Sequence, residues 1–499
     1  MPARYLFLGL LIGGVGLGWY AVAGRPVVST PSTKAPDDSL WQVTLFKTGI
    51  GDELPRSLVL NNAVGNSGCS AQGCHGAVMP RTKPLSIWGA DDTDRTRWRE
   101  SSTIFNGHDP HRLAFDVLKN DRSAGIQRRL QTTTPASEDS RCLACHSNPT
   151  MANDKSEAAK AIHADGVSCE ACHGNSSGWI DAHTKWDGST NRQRAYVSTG
   201  MTQLNEINVR AMTCLRCHVG SEAEPDKNTP RRDVNHDLIA AGHPRLNFDF
   251  ATYMERLPAH WVEKDRGEKS GVFRNQSVAA WYWVIGRQAS NTAAYRLLAD
   301  RATLGEKAPQ AWPELSENDC FSCHRGLDPE RKKFSQPPAR ITGGLGRESP
   351  PILHALQKNI PHTDAVEALM RKPGQSPAEL AKLARAAAAE WENTIEAKIH
   401  ESIGPGEDRI LAKKLAAADP PMTWAEACQR FYALDYFNRM GKKGLDKEID
   451  AVRPLLRFQR DPIEINSPAT SDLPTAGRKL KEIAERLSQP APPDDPAKK

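Results

Sequence analysis

The chain has 499 residues, 39% apolar and 25% charged, which is the composition of a globular protein with a lean core and room for two to four domains. Its formal charge of +5, spread without any Lys/Arg-rich run, is too weak to point to nucleic acid as a partner.

From the N-terminus, residues 1–24 hold an uncharged run from Tyr5 to Ala23 that ends Ala21-Val22-Ala23. The run is just long enough to cross a bilayer as a helix, and its end is an A-x-A cleavage pattern, so it reads equally as a signal peptide or a retained membrane anchor. Either reading sends the rest of the chain to the periplasm or the outer face of the cytoplasmic membrane. Residues 25–62 read as a stalk.

The eleven cysteines then appear, ten of them in pairs. Four pairs read Cys-x-x-Cys-His: Cys142, Cys145 and His146; Cys169, Cys172 and His173; Cys214, Cys217 and His218; Cys320, Cys323 and His324. A fifth, CSAQGCH, sets Cys69 and Cys74 further apart and ends in His75. Disulfides or zinc need the cysteines but no histidine after each second one. With 15 histidines in the chain, five such coincidences have odds on the order of 10⁻⁸. Haem c explains the pattern: two thiols add to the two vinyl groups of the macrocycle, and the next residue offers its imidazole to the iron. Five covalent haems are therefore expected over residues 63–334, with His75, His146, His173, His218 and His324 as proximal ligands. Each ferric haem carries about −1 with its propionates, so five would bring the loaded protein to roughly zero charge. The unpaired Cys428 reads as a buried, inert thiol.

The sixth iron position decides between a closed, electron-transferring haem and an open one that binds substrate. In NGHDPHRLAFDVLKN, Asp109 is an expected N-cap and Pro110 a first helical residue, with His111, Phe115 and Leu118 on one apolar face. His236 and His243 are seven apart and expected on one helical face ahead of Pro244; they could serve two neighbouring haems, or one could bond a propionate. His183 follows Trp179 and is placed to reach back over a haem. His111, His183, His236 and His243 are thus the candidate distal ligands. His163 reads as a solvated surface histidine or a ligand, His260, His354 and His362 as loop residues beside prolines, and His400 as a surface residue.

A long helix is expected near 276–302, with Trp281 and Trp283 in core or haem packing. The Pro/Gly-rich segment 335–351 reads as a linker to a haem-free helical domain over 352–488. There SPAE (376–379) is a capping box opening a helix to about His400, and TWAE (423–426) opens another with Phe431, Tyr432 and Phe437 on an aromatic face. Residues 489–499 have a disordered composition. Strand-like alternation is scarce, so the fold class is mainly α: a multihaem cytochrome c core with long loops, plus a C-terminal helical bundle.

GVSCEACHG followed by a Trp and a His, an H-x-x-A-F segment before the second motif, and the spacing of the first four motifs resemble the tetrahaem cytochrome c family that accepts electrons from hydroxylamine oxidoreductase. The resemblance covers about residues 65–220. It implies that His111 and His183 are distal ligands and that the haem on His146 is five-coordinate, which would make it the one catalytic candidate. Cys320 and the C-terminal helices depart from the family. The expected function is a periplasmic pentahaem electron carrier between redox proteins that act as donor and acceptor, with possible membrane attachment through the N-terminus and no nucleic acid. The alternative is a reductase or oxidoreductase of a small nitrogen or sulfur compound at an open haem; no site here ends in Cys-x-x-Cys-Lys, as the catalytic motif of pentahaem nitrite reductase does.

Overall fold

The structure, a computed structural model, describes residues 61–77, 97–186, 190–246, 248–261, 278–318, 360–370, 372, 374–400, 406–421, 424–456 and 472–490. The leader, most of the stalk, the fifth motif with Cys320, Cys323 and His324, His354, the 335–351 linker and the 491–499 tail lie outside the described residues. The fold is mainly α, and the extended pairings among the described residues are two isolated bridges, Ser221 with Arg232 and Glu224 with Thr229. No helix among them is long and apolar enough to cross a membrane.

The motif-bearing half is built of short helices joined by loops: α1 (Ser101–His108), α2 (Asp121–Arg129), α3 (Ser140–His146), α4 (Glu157–Ala164), α5 (Cys169–His173) and α6 (Ile207–His218). Side-chain caps fix several starts. Asn120 accepts from Ser123 N at 2.9 Å, Asp139 from Arg141 N at 3.0 Å, and Ser156 from Ala159 N at 3.1 Å. The apolar cluster under the second motif is small: Phe115, Leu118, Ala136, Leu143, Ala144 and Ala152.

The other half is built around α7 (Val278–Lys307), the helix expected near 276–302. From Ala280 to Ala293 it is buried on every side, which is how a helix behaves when neighbours cover its whole circumference, while its last turns reach solvent at Leu304. Its first half packs with α6, the Phe250–Arg256 helix and α10 (Trp424–Gly441); its second half packs with the Pro361–Met370 helix and α8 (Pro377–His400). The helices α9 (Glu407–Ala417) and α11 (Leu473–Leu487) close over α10. Trp281 and Trp283 belong to this core, Trp283 meeting Phe437 edge-on at 5.6 Å. Ser376 caps α8 through Glu379 N at 3.4 Å, and Phe431, Tyr432 and Phe437 are all buried. Cys428 is fully buried there, and burial holds its thiol well above its ordinary pKa. The C-terminal helices thus share one core with the helices before the linker.

Two local expectations change. His111, Phe115 and Leu118 lie not on one α-helix but on two short 3₁₀ turns, Pro110–Leu113 and Asp116–Lys119. The His111 carbonyl accepts Ala114 N at 3.1 Å and also Val167 N at 3.0 Å, so it serves the GVSC loop rather than an i→i+4 ladder. His236 and His243 do not share a helical face: the helix runs only from His236 to Ala240 and ends at Gly242, whose φ of +108° suits glycine alone.

Trp391 is fully buried between α7 and α8. Trp391→Ala should cost about 3–5 kcal/mol of stability, read from denaturant unfolding by circular dichroism, without changing the mass of the attached cofactor.

Candidate haem-binding site

Each described motif is set by its own local structure. In the first, the two extra residues of CSAQGCH loop out: Cys74 N bonds Ala71 O at 2.8 Å and His75 N returns to Cys69 O at 3.3 Å. The next residue must be glycine, since a Cβ on Gly76 would lie 1.9 Å from Ser70 O. The second and fourth motifs occupy the C-terminal turns of α3 and α6, and the third is α5 itself. Gly166, at φ +70°, lies so close to the chain at His111 and Arg112 that a Cβ would meet His111 O at 2.5 Å. That contact sets the third motif beside the His111 turn.

Glu170, inside CEACH, ties the first motif to the third. It is 3% exposed, and its carboxylate accepts Val64 N at 2.9 Å, Gly65 N at 2.8 Å, Ser176 N at 2.8 Å and Ser176 Oγ at 2.7 Å. The thiols follow the same order. Cys69 lies beside Cys169, which draws the Cys69 pKa down and pushes Cys169 up; Cys145 and Cys217 are neighbours likewise, with Cys217 drawn down, and Cys172 lies near Cys214. In space the four motifs therefore run first, third, fourth, second. Burial pushes Cys142 up to about 11 and Cys214 up to about 12, whereas the contact with Cys145 draws Cys217 down to about 6.

The histidines form pairs. His75 faces His183 with ring centroids 6.1 Å apart, His111 faces His218 at 6.1 Å, His146 faces His243 at 6.4 Å, and His173 faces His260 at 6.1 Å. Every pair joins one motif histidine to one from elsewhere in the chain. Two imidazoles on opposite sides of one metal, each with a bond of about 2 Å and a ring centre about 1 Å beyond its nitrogen, stand about 6 Å apart. The Nδ1 atoms are already engaged: His146 with Ala114 O at 2.8 Å, His183 with Trp179 O at 3.1 Å, His243 with Pro244 O at 2.7 Å, and His111 with Asp109 Oδ1 at 2.8 Å. That leaves Nε2 of these rings for a metal. Burial, reinforced by neighbouring histidines, lowers His173 and His218 to about 3, and burial is also the main cause lowering His260 to about 4, so these rings stay neutral, the form that can ligate. For His111, burial opposes the charged ring, but the Asp109 carboxylate prevails and raises its pKa.

Residues 99–174 match the model of the family described as cytochrome c554 and c-prime. That segment is similar to c-type cytochromes. Neither the comparison with curated proteins nor that with solved structures returned a match. A c-type cytochrome carries covalent haem c and transfers electrons with redox partners. The described residues of this chain fit haem c: paired thiols, a following imidazole, and a second imidazole at the separation that an iron between them requires.

Of the four candidate distal histidines, His111, His183 and His243 stand opposite motif histidines, whereas His236 faces none of the described ones. Its main-chain N donates to Glu314 at 2.8 Å. The fourth partner is His260, a residue the sequence marked only as a loop position; the adjoining Trp261, ring centroids 5.0 Å away, was the one signal that it sits in a packed site. The resemblance left the haem on His146 open, but His243 stands opposite it. His163 is not a surface residue: it is 3% exposed, its Nδ1 lies 2.6 Å from Ser147 Oγ, and its ring stacks on Phe115. His362 lies in the first turn of the Pro361–Met370 helix and not in a loop.

Glu170→Ala removes the acceptor of four bonds and leaves two buried main-chain donors without it. It should loosen the first motif from the third, at a cost of about 2–3 kcal/mol. Limited proteolysis should then cut within residues 61–77, which resist cleavage in the parent.

Proposed function

We propose that this chain is an exported pentahaem cytochrome that relays electrons between a donor and an acceptor protein, in the periplasm or at the outer face of the cytoplasmic membrane, with its N-terminus as signal or anchor. By the resemblance, the donor is of the hydroxylamine oxidoreductase kind. Cys69/Cys74, Cys142/Cys145, Cys169/Cys172, Cys214/Cys217 and Cys320/Cys323 hold the five haems by thioether bonds, with His75, His146, His173, His218 and His324 on the proximal side. Bound haem supplies reversible one-electron exchange.

The observation that carries this reading is the four-fold pairing of motif and non-motif histidines at 6.1–6.4 Å. Two protein imidazoles per iron leave no coordination position for a substrate, which favours relay over catalysis at these four sites. The thiol contacts support a serial order of first, third, fourth and second haem. The chain's own residues do the rest: they orient His111, His146, His183 and His243 through Nδ1, keep His173, His218 and His260 neutral by burial, and hold neighbouring attachment points together.

The mass of the denatured chain should exceed the apo mass by five haem masses; four would remove the CSAQGCH or the CFSCH site. At least four ferric haems should be low-spin and unreactive to cyanide. His243→Ala and His260→Ala should each turn one haem high-spin and cyanide-reactive while the covalent haem mass stays constant. If both variants keep the parent spectrum, the pairs do not ligate; if the parent is high-spin at the second site, the substrate-binding reading takes precedence.

A further inference from the structure

Three of the engaged Nδ1 atoms meet main-chain carbonyls, but the fourth meets a carboxylate. Asp109 is 8% exposed, and its Oδ1 accepts both the His111 main-chain N at 2.9 Å and, across from it, His111 Nδ1 at 2.8 Å. The same residue caps the Pro110–Leu113 turn, so its carboxylate cannot swing away without losing the turn that carries His111. With Nε2 committed to a metal, Nδ1 carries the ring proton and donates it to the carboxylate. The second site supplies the contrast within one molecule: His146 and His243 both give Nδ1 to carbonyls, at 2.8 and 2.7 Å.

A charged acceptor makes a stronger hydrogen bond than a carbonyl and leaves the imidazole more basic. A more basic axial ligand stabilises ferric over ferrous iron. We propose that Asp109, acting through His111, is a positioning residue that holds the haem on His218 at a lower reduction potential than the haem on His146. Reduction there adds one electron from the neighbouring haem, while the proton stays on Nδ1 shared with Asp109. Measured against the second site, this haem is an uphill step, and electrons shared between the two collect on the haem of His146. The inference rests on the histidine pairing proposed above.

The test is a redox titration of the haem-loaded full chain, followed optically and by electron paramagnetic resonance, for the parent, Asp109→Asn and Asp109→Ser. Both replacements keep an N-cap oxygen and remove the carboxylate, so two folding outcomes are available. One haem should shift its reduction equilibrium about tenfold toward ferrous, about 59 mV for a one-electron couple, and one low-spin ferric signal should move while the others stay. Unchanged midpoints in a variant that is still wholly low-spin overturn the proposal. So does conversion of one haem to high-spin with the remaining midpoints unmoved, which would make Asp109 a structural support only. Failure of the underlying reading looks different: the parent itself would then lack low-spin signals at the paired sites.

Discussion

An iron gripped by two imidazoles tolerates little error, since both rings must stand about 6 Å apart along one axis and stay uncharged. In this chain the facing rings that would do so join segments far apart in sequence, His75 with His183, His111 with His218, His146 with His243 and His173 with His260. Everything else in the motif-bearing half serves that requirement. Short helices carry three of the motif histidines, Nδ1 bonds hold the rings of His111, His146, His183 and His243, and Glu170 and the Gly166 contact hold the segments in register. The apolar cluster beneath the second motif is only six residues, too few to define so many positions by packing alone. Order in this half comes from polar contacts and from ligation.

The helical half meets a different demand. Its helix α7 is sheathed on all sides from Ala280 to Ala293 and shares its core with α6, whose last turns carry Cys214, Cys217 and His218. The fourth motif is therefore anchored to a dense aromatic and aliphatic body, and His218 itself lies against Phe248 at 4.6 Å and Tyr253 at 5.4 Å. A buried ion pair binds the two halves further: Arg301, 2% exposed, holds Asp233 and is itself held by Glu317. Such groups are costly if either partner is removed, which favours a single arrangement.

What was legible in the sequence follows from what is local. Cys-x-x-Cys-His is a contiguous device, so the proximal side could be read directly, and the mainly α class followed from capping boxes and the apolar run of α7. The distal side is a property of the assembled chain. His183 could be picked out because it follows Trp179, whose carbonyl accepts from its ring, although the histidine it faces, His75, lies far back in the sequence. His260 lies in an irregular stretch after Pro258, where no periodicity marks an inward face, so it was passed over. His163 misled in the other direction: its helix reads charged, yet the one turn carrying Ala159, Ile162 and His163 is buried. The expected seven-residue pairing of His236 and His243 failed at Gly242, a conformational exception that a helical template cannot represent.

The wide sequence separation of the paired histidines bears on how the molecule is made. In the exported chain proposed here, a haem joined to a motif as that motif emerges would meet only the histidines already delivered. At that moment its second imidazole, roughly 90 to 110 residues later for the first, second and third motifs, has not yet arrived. Those three haems would spend part of their maturation with one axial ligand, and only the fourth, whose partner His111 precedes it, would find both ligands already present. Synthesis would then pass through a sequence of ligation states, each closing a long loop and withdrawing chain entropy as a cross-link does. The last closure, by His260, would also draw the preceding segments against α7, so that completion of the cofactor shell and completion of the helical core become one event.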